Sequence, residues 1–181
     1  LLSLIGGIRS PREGAVLVDG ERSTTLRRSA WLDRVVLIPQ DPYLFHATLR
    51  ENIAFYRPDA VDEEVMRAVC DMDLESLVEN LPEGLATRIG DGARGLSGGQ
   101  AQRIALARAY LDSERDVLLF DEPTAHLDIE TEYELKRSML DLMEGKLAFV
   151  ATHRLHWMPD FDYVLVVDGG RIVWQGAPDD L

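Results

Sequence analysis

Two adjacent carboxylates close an apolar run in "VLLFDEP", Val117 to Pro123. Apolar residues running into Asp121 and Glu122 predict a buried strand that delivers two acids to the carboxyl edge of a sheet, where open α/β folds bind ligands. Packing alone does not call for this, because isolated charges are costly away from water. One acid can serve a hydrated Mg²⁺, which keeps waters and needs only one or two carboxylates beside substrate phosphates. The other can polarise a water. The plainer alternative is that both simply emerge into solvent at a strand end. His153, in "ATHR" (Ala151 to Arg154), ends the next apolar run in the matching position. Its strand is expected to neighbour the one ending in Asp121-Glu122, so it can donate to a terminal phosphate, or act as a structural hydrogen-bonder. Gln40 follows another apolar run, in "LIPQDPYLF". Its amide can ligate a metal-bound water or orient a nucleophile, although polar residues after strands are routine.

A second kind of site lies in "GLSGGQAQRIALARA", Gly95 to Ala109. Ser97 is a good N-cap, since its oxygen can accept from the orphan amides of a first helical turn. Two glycines there cost helix stability, about 1 kcal/mol each relative to alanine. A cap does not need them, but an anion approaching bare helix amides does. Asp128 stands six residues beyond Glu122, in "TAHLD". Pro123 disfavours helix at Glu122, and Asp128 either caps the helix beginning near Thr131 or takes part in the site.

The elements that must hold these residues follow from pattern. The opening residues predict a helix ending at Gly6-Gly7, and Gly14 to Gly20 a short strand with an Asp19-Gly20 hairpin turn. Thr48 to Tyr56 predicts a short helix with Thr48 and Glu51 as a capping box. Val61 to Asp71, capped by Asp62, and Leu74 to Leu81 predict helices before a glycine-rich loop, Pro82 to Gly95. The helix from Gly98 to about Ser113 would turn Ile104, Leu106, Ala107 and Leu111 to a core and Gln102, Arg103 and Arg108 elsewhere. Strands at "RVVLIPQ", "DVLLFDEP" and "LAFVATH" alternate with helices such as Thr131 to Met143. A hairpin turns around Asp168-Gly169-Gly170. This pattern predicts an α/β fold with a mostly parallel sheet covered by helices and an antiparallel addition at its C-terminal end.

Composition sets limits. The chain has 181 residues, of which 46% are hydrophobic and 28% charged, ordinary for a globular domain. A net charge of −13 disfavours nucleic acid and anionic lipid as partners of the whole surface. The single cysteine, Cys70, excludes an internal disulfide and reads as a small buried apolar residue. His46, His126 and His156 are assigned no chemistry.

Taken in order, Gln40 in "IPQDPYLF", "LSGGQ" at Leu96 to Gln100, "VLLFDEP", "AHLD" at Ala125 to Asp128 and "ATHR" resemble an ABC-type ATPase domain. They match its Q-loop, signature, Walker B, D-loop and switch-histidine motifs, and the resemblance runs over residues 1–181. It implies a P-loop NTPase-like parallel sheet flanked by helices, with a helical subdomain at about 41–112 carrying the signature and catalytic-core strands over 113–181. ATP and Mg²⁺ are the implied cofactors. Asp121 would hold Mg²⁺ through water, Glu122 would be the general base, and His153 would contact the γ-phosphate. Gln40 would link metal and water to the transmembrane partner. Leu96, Ser97, Gly98, Gly99 and Gln100 would face ATP held by the opposite subunit, and Asp128 would communicate across the dimer.

The implied partners are a second ATPase domain in a head-to-tail pair and exporter transmembrane domains, placing the chain at the cytoplasmic face of a bacterial inner membrane. Tyr43, Leu44 and Phe45 are candidates for contact with the membrane part or, equally, a partly buried anchor of the loop. No G-x-x-x-x-G-K-[ST] loop occurs in the sequence. The expectation is therefore of a domain truncated at both ends, just after that loop at its start, and unable to hydrolyse ATP by itself. "TLRENIAFYRPDA" and "TRIGDGARGLSGGQ" resemble the exporter branch. Gly90-Asp91-Gly92-Ala93 departs from that branch's usual Gly-Glu-x-Gly and, with "GLSGGQAQR", is similar to the exporters of cysteine and glutathione. A non-transport ABC ATPase of repair or translation type remains an alternative. So does a non-catalytic module that lends its signature helix to a partner.

Overall fold

In the computed structural model, residues 1–22, 28–90, 95–112, 114–125 and 127–181 are described. In chain order the elements are α1 (Leu2–Ile5), β1 (Leu17–Val18), β2 (Glu21–Arg22), α2 (Arg28–Leu32), β3 (Val35–Ile38), β4 (Ala47–Thr48), α3 (Leu49–Ile53), α4 (Asp62–Asp71), α5 (Glu75–Asn80), β5 (Arg88–Ile89), α6 (Gly98–Leu111), β6 (Val117–Asp121), α7 (Ile129–Met143), β7 (Leu147–Ala151), β8 (Val164–Asp168) and β9 (Arg171–Gly176). They form two compact units, Leu1–Ala151 and Thr152–Leu181.

The first unit is built on three parallel strands in the order β3-β6-β7. Val117, Leu118, Leu119 and Phe120 of β6 are at most 1% exposed, which is why this strand reads as an unbroken apolar run. Trp31 and Val35 pack with Val117 and Leu119, and Leu2, Ile5, Val18, Leu37 and Phe149 close around them. The Trp31 indole donates to the Ile5 carbonyl at 2.8 Å, tying α1 to this cluster. At the strand starts, Arg34 holds Asp116 with two hydrogen bonds of 2.9 and 2.6 Å. β7 is only partly buried, with Leu147 53% exposed, so the fully buried strand expected at "LAFVATH" is instead an outer strand of the three.

Around the sheet, α6 packs against α3 and α4. Leu49, Ile53, Val65, Ala68, Val69, Ile104, Leu106 and Ala107 are fully buried there. Each large aliphatic among them contributes about 1.5–3 kcal/mol by leaving water. The predicted capping box forms: Thr48 Oγ1 accepts from the Glu51 amide, and the Glu51 carboxylate accepts from the Thr48 amide. The α4 start differs from expectation. Val61 is the N-cap, Glu64 accepts from its amide, and Asp62 pairs with Arg50 at 2.8 Å. Asp19 (φ 52°) and Gly20 (φ 83°) make the predicted β1–β2 turn.

Two expectations about polarity fail. Cys70 is exposed, not buried. On α6, Gln102 and Arg103 are buried, because this helix is enclosed on all sides and has no solvent face wide enough for them. The expected helix end at Ser113 and the residues Asp91, Gly92, Ala93 and His126 lie outside the described residues. Among the described residues, no helix is long and apolar enough to cross a membrane.

The second unit contains the β8–β9 hairpin, which turns at Gly169 and Gly170 with a register shift at Val166/Val167. Trp157, 1% exposed, stacks on Phe161 within this unit.

Candidate functional site

Strand register determines what meets at the sheet edge. Ile38 pairs with Phe120, Phe120 with Val150, and Asp121 with Ala151. The carboxyl ends of β3 and β6 therefore lie side by side, with Gln40 two residues beyond one and Asp121-Glu122 finishing the other. Gln40 and Asp121 are exposed, and Glu122 is half-buried. β7 neighbours β6, as the sequence predicts, and His153 follows it by two residues, as an exposed residue of the second unit.

Glu122 has φ 48°, in the left-handed region. A side chain there carries strain of about 1–3 kcal/mol, retained only where the surroundings enforce it. Here they do: the Glu122 amide donates to the Ala151 carbonyl at 2.8 Å and its carbonyl accepts from the Ala125 amide at 3.1 Å, while Pro123 disfavours the right-handed helical alternative.

The α6 N-terminus answers the question of its two glycines differently for each. Ser97 and Gln100 form a reciprocal capping box, with Ser97 Oγ accepting from the Gln100 amide at 3.1 Å and Gln100 Oε1 from the Ser97 amide at 2.9 Å. A Cβ on Gly98 would meet nothing within 4 Å and the residue is exposed, so the backbone at this helix start borders solvent. Gly99 is buried, and a Cβ there would lie 3.1 Å from Thr131 Cγ2 and 3.5 Å from Leu127 Cδ2. Its lack of a side chain serves packing against the start of α7.

Gln40, Leu96, Ser97 and Gly98 line one cavity of about 440 Å³, together with Tyr43, Gln102, Pro123, Ala125 and Leu127. Ser97 also lines, with Gly99 and Gln100, a second, polar groove of about 790 Å³ among α4, α5, α6 and α7. Asp121, Glu122 and Asp128 line neither. Asp128 caps α7: Oδ1 accepts from the Thr131 amide at 3.0 Å and Oδ2 from the Thr131 hydroxyl at 2.8 Å. These bonds hold its carboxyl below the ordinary aspartate range.

The loop after Gln40 is held by residues that the sequence pattern hides. Asn52, fully buried, accepts from the Phe45 amide at 2.8 Å and donates to the Phe45 and Thr48 carbonyls at 3.0 Å each. Arg108 donates to the Asn52 carbonyl at 2.8 Å and lies over the rings of Phe45 and Phe55, which stack at 4.4 Å. Burial lowers the Arg108 pKa from its ordinary value. Leu44 is 3% exposed and belongs to the core, as the loop-anchor alternative has it; Tyr43 is 68% exposed. Polar residues on an enclosed helix give no periodic signal. The only hint is their own position among apolar neighbours.

The residues fit a nucleotide with a hydrated Mg²⁺. Among the described residues no group of three or more His, Cys, Asp or Glu could hold a metal. A cation that needs one or two carboxylates beside phosphates suits the exposed Asp121 at the sheet edge.

An α/β unit with a strained glutamate at a parallel sheet edge and an open, glycine-led helix start is the setting of a nucleotide-binding domain. The chain belongs to the ABC transporter family, whose model matches residues 1–125. It is 53% identical over all 181 residues to the glutathione/L-cysteine transport system ATP-binding/permease protein CydC of Bacillus subtilis, of which it covers 32%. It is 36% identical, again over its full length, to the ATP-dependent lipid A-core flippase of Neisseria gonorrhoeae, covering 29%. A bacterial Atm1-family ABC exporter with ATP bound superposes with a TM-score of 0.89 and 33% identity, over 98% of this chain and 31% of that one. The chain thus spans about a third of the relatives it matches.

Proposed function

We propose that this chain is the ATP-binding and hydrolysing motor part of an ABC exporter, coupling nucleotide-driven pairing of two such domains to transport. The observation that carries the reading is the convergence of Gln40 and Asp121-Glu122 on adjacent strand ends, joined with the exposed Gly98 at the start of the signature helix. In this reading Asp121 and Gln40 serve Mg²⁺, which when bound would neutralise charge on the phosphates. Glu122 accepts the proton of the attacking water, and the turn at Pro123 fixes where its carboxylate points. His153 contacts the γ-phosphate. Leu96, Ser97, Gly98, Gly99 and Gln100, with Asp128, serve ATP held by the opposite domain, Gly99 acting through helix packing. Residues 41–112 act as the helical subdomain and 113–181 as core strands. Tyr43 and the exposed edge of Phe55 are the contacts toward the membrane part.

The relatives named as ATP-binding/permease proteins support permease domains as partners and a place at the cytoplasmic face of the membrane. They disfavour both the repair or translation reading and the non-catalytic module. The cargo proposed is a small thiol, cysteine or glutathione, on the similarity to the B. subtilis transport protein. The test is Glu122→Gln in the exporter carrying this chain. ATP turnover should fall roughly 10²- to 10⁴-fold while ATP still binds; unchanged turnover removes Glu122 from the role of base.

A further inference from the structure

Among the described residues two acidic side chains are buried, Asp112 and Glu132. Arg115 lies 2.5 Å from the Asp112 carboxylate and accounts for it. Glu132, 3% exposed in the first turn of α7, takes no part in the chemistry at the sheet edge. A carboxyl group is costly to take out of water, so its burial calls for a reason. The Thr124 hydroxyl, on a residue 2% exposed, donates to Glu132 Oε1 at 3.4 Å. That is long for a bond between oxygens. Both groups are withdrawn from bulk water, however, where such a contact counts for more than it does at a surface.

Thr124 stands two residues after Glu122, in the turn that holds Glu122 at φ 48°. Within this turn the Ala125 amide donates to the Glu122 carbonyl, and the Leu127 amide to the Thr124 carbonyl, at 3.1 Å each. On the other side, the Glu132 amide donates to the Asp128 carbonyl at 2.9 Å, inside a helix of 15 residues. The Thr124–Glu132 contact therefore ties the turn bearing Glu122 to the body of α7. A turn supported by a rigid helix holds a side chain in place better than a loop does by itself.

We propose that Glu132 is a positioning residue for Glu122. By holding Thr124, it fixes the turn and hence where the Glu122 carboxylate stands at the sheet edge. Glu132 touches neither the nucleotide nor the attacking water; it acts through Thr124. This rests on the ATPase reading above.

The experiment uses the exporter carrying this chain. Glu132→Met keeps the length of the side chain but accepts nothing. Its kcat should fall roughly 3- to 10-fold, the factor of one hydrogen bond, while the KM for ATP stays within about twofold. Glu132→Gln keeps an acceptor oxygen in place and should restore kcat to within about twofold of the wild type. Thr124→Val removes the hydroxyl at constant shape and should lose as much as Glu132→Met. The double variant should lose no more than either alone, because the two act as one contact. Hydrogen exchange reads the turn without any turnover. The Ala125 and Leu127 amides should exchange about 3- to 10-fold faster in Glu132→Met, and at the wild-type rate in Glu132→Gln. A lower melting temperature with kcat and exchange unchanged would make Glu132 a packing residue and overturns the proposal. So do additive losses in the double variant, or a glutamine variant as impaired as the methionine one. If Glu132→Met does not fold, Thr124→Val is held to the same outcomes. Wild-type turnover tests the ATPase reading by itself, and the exchange comparison tests Glu132 whether or not ATP is hydrolysed.

Discussion

Helices α6 and α7 are 14 and 15 residues long, and each starts on a side-chain cap, Ser97 or Asp128. Their surroundings differ. α7 shows one face to solvent: Ile129 and Tyr133 are 84% and 76% exposed, while Leu135, Met139 and Leu142 are buried at helical spacing. α6 is enclosed by α3, α4 and α7, so its polar side chains need specific partners. Arg103 shows how one is satisfied, donating to Asp73 at 2.8 Å, Glu134 at 2.7 Å and the Met72 carbonyl at 3.2 Å. A surface helix is stabilised by a stripe; an enclosed helix also needs a hydrogen-bond plan, and any donor outside that plan is conspicuous.

The largest effect expected from this contrast is in the apolar packing. Leu106→Ala, at a fully buried position of α6, should cost about 2–5 kcal/mol. Tyr133→Ala on the outer face of α7 should stay within about 0.5 kcal/mol. Urea denaturation of both variants decides it, and similar midpoints would mean that α6 is not the enclosed strut described here. Next comes the charge plan. Arg103→Met should cost about 1–2 kcal/mol, because the carboxylates left behind, Asp73 and Glu134, are more than half exposed and return to water. Arg137→Met, on the exposed side of α7, should be close to neutral in the same assay.

This contrast also explains what could be read from the chain before folding. The α7 helix, the unbroken β6 run, the Thr48 capping box and the Asp19-Gly20 turn each follow from local chemistry, and each forms as read. The pairing of β7 with β6 also forms as read, whereas the pairing of β3 with β6, which sets Gln40 beyond the neighbouring strand end, was not read from the chain. The burial of Gln102, Arg103 and Asn52 was not legible. It depends on which distant elements enclose them, and amphipathic reading sends polar side chains to solvent by default. Cys70 errs in the opposite direction: its apolar character suggested the core, but its place on α4 faces outward. The division of labour between Gly98 and Gly99 was hidden for the same reason, since only the position of Thr131 separates them.

Those two glycines give a smaller and sharper test. Gly98→Ala meets open space and should gain stability, by about 0.4–1 kcal/mol, from reduced unfolded-state freedom. In the exporter it should nevertheless slow ATP turnover, because the methyl group crowds the exposed helix start. Gly99→Ala meets Thr131 Cγ2 at 3.1 Å and should destabilise unless that side chain gives way. Thermal melts of the pair, read beside turnover, separate packing from ligand access. If Gly99→Ala were the more stable of the two, the contact with α7 would be slack and Gly99 would return to the ligand side.

The two caps differ in chemistry as well as place, and this predicts the smallest effect. Ser97 does not titrate in the acid range. Asp128 does, and the Thr131 amide and hydroxyl hold its folded pKa below the unfolded value of about 3.9. A carboxylate depressed on folding contributes stability that is fully present above the unfolded pKa and is lost as pH falls through the folded one. Asp128→Ala should therefore lower the melting temperature at pH 7, and its gap from the wild type should narrow as pH falls below about 4. The gap for Ser97→Ala should remain flat over the same range. Glu51 and Asp116 are depressed in the same direction, by the Thr48 amide and by Arg34, so the whole chain should lose stability in acid. Taking each variant against the wild type at the same pH removes that shared loss. An Asp128 gap that stays constant down to pH ~3 would mean that α7 is held by its buried stripe alone, and that the cap contributes nothing that depends on its charge.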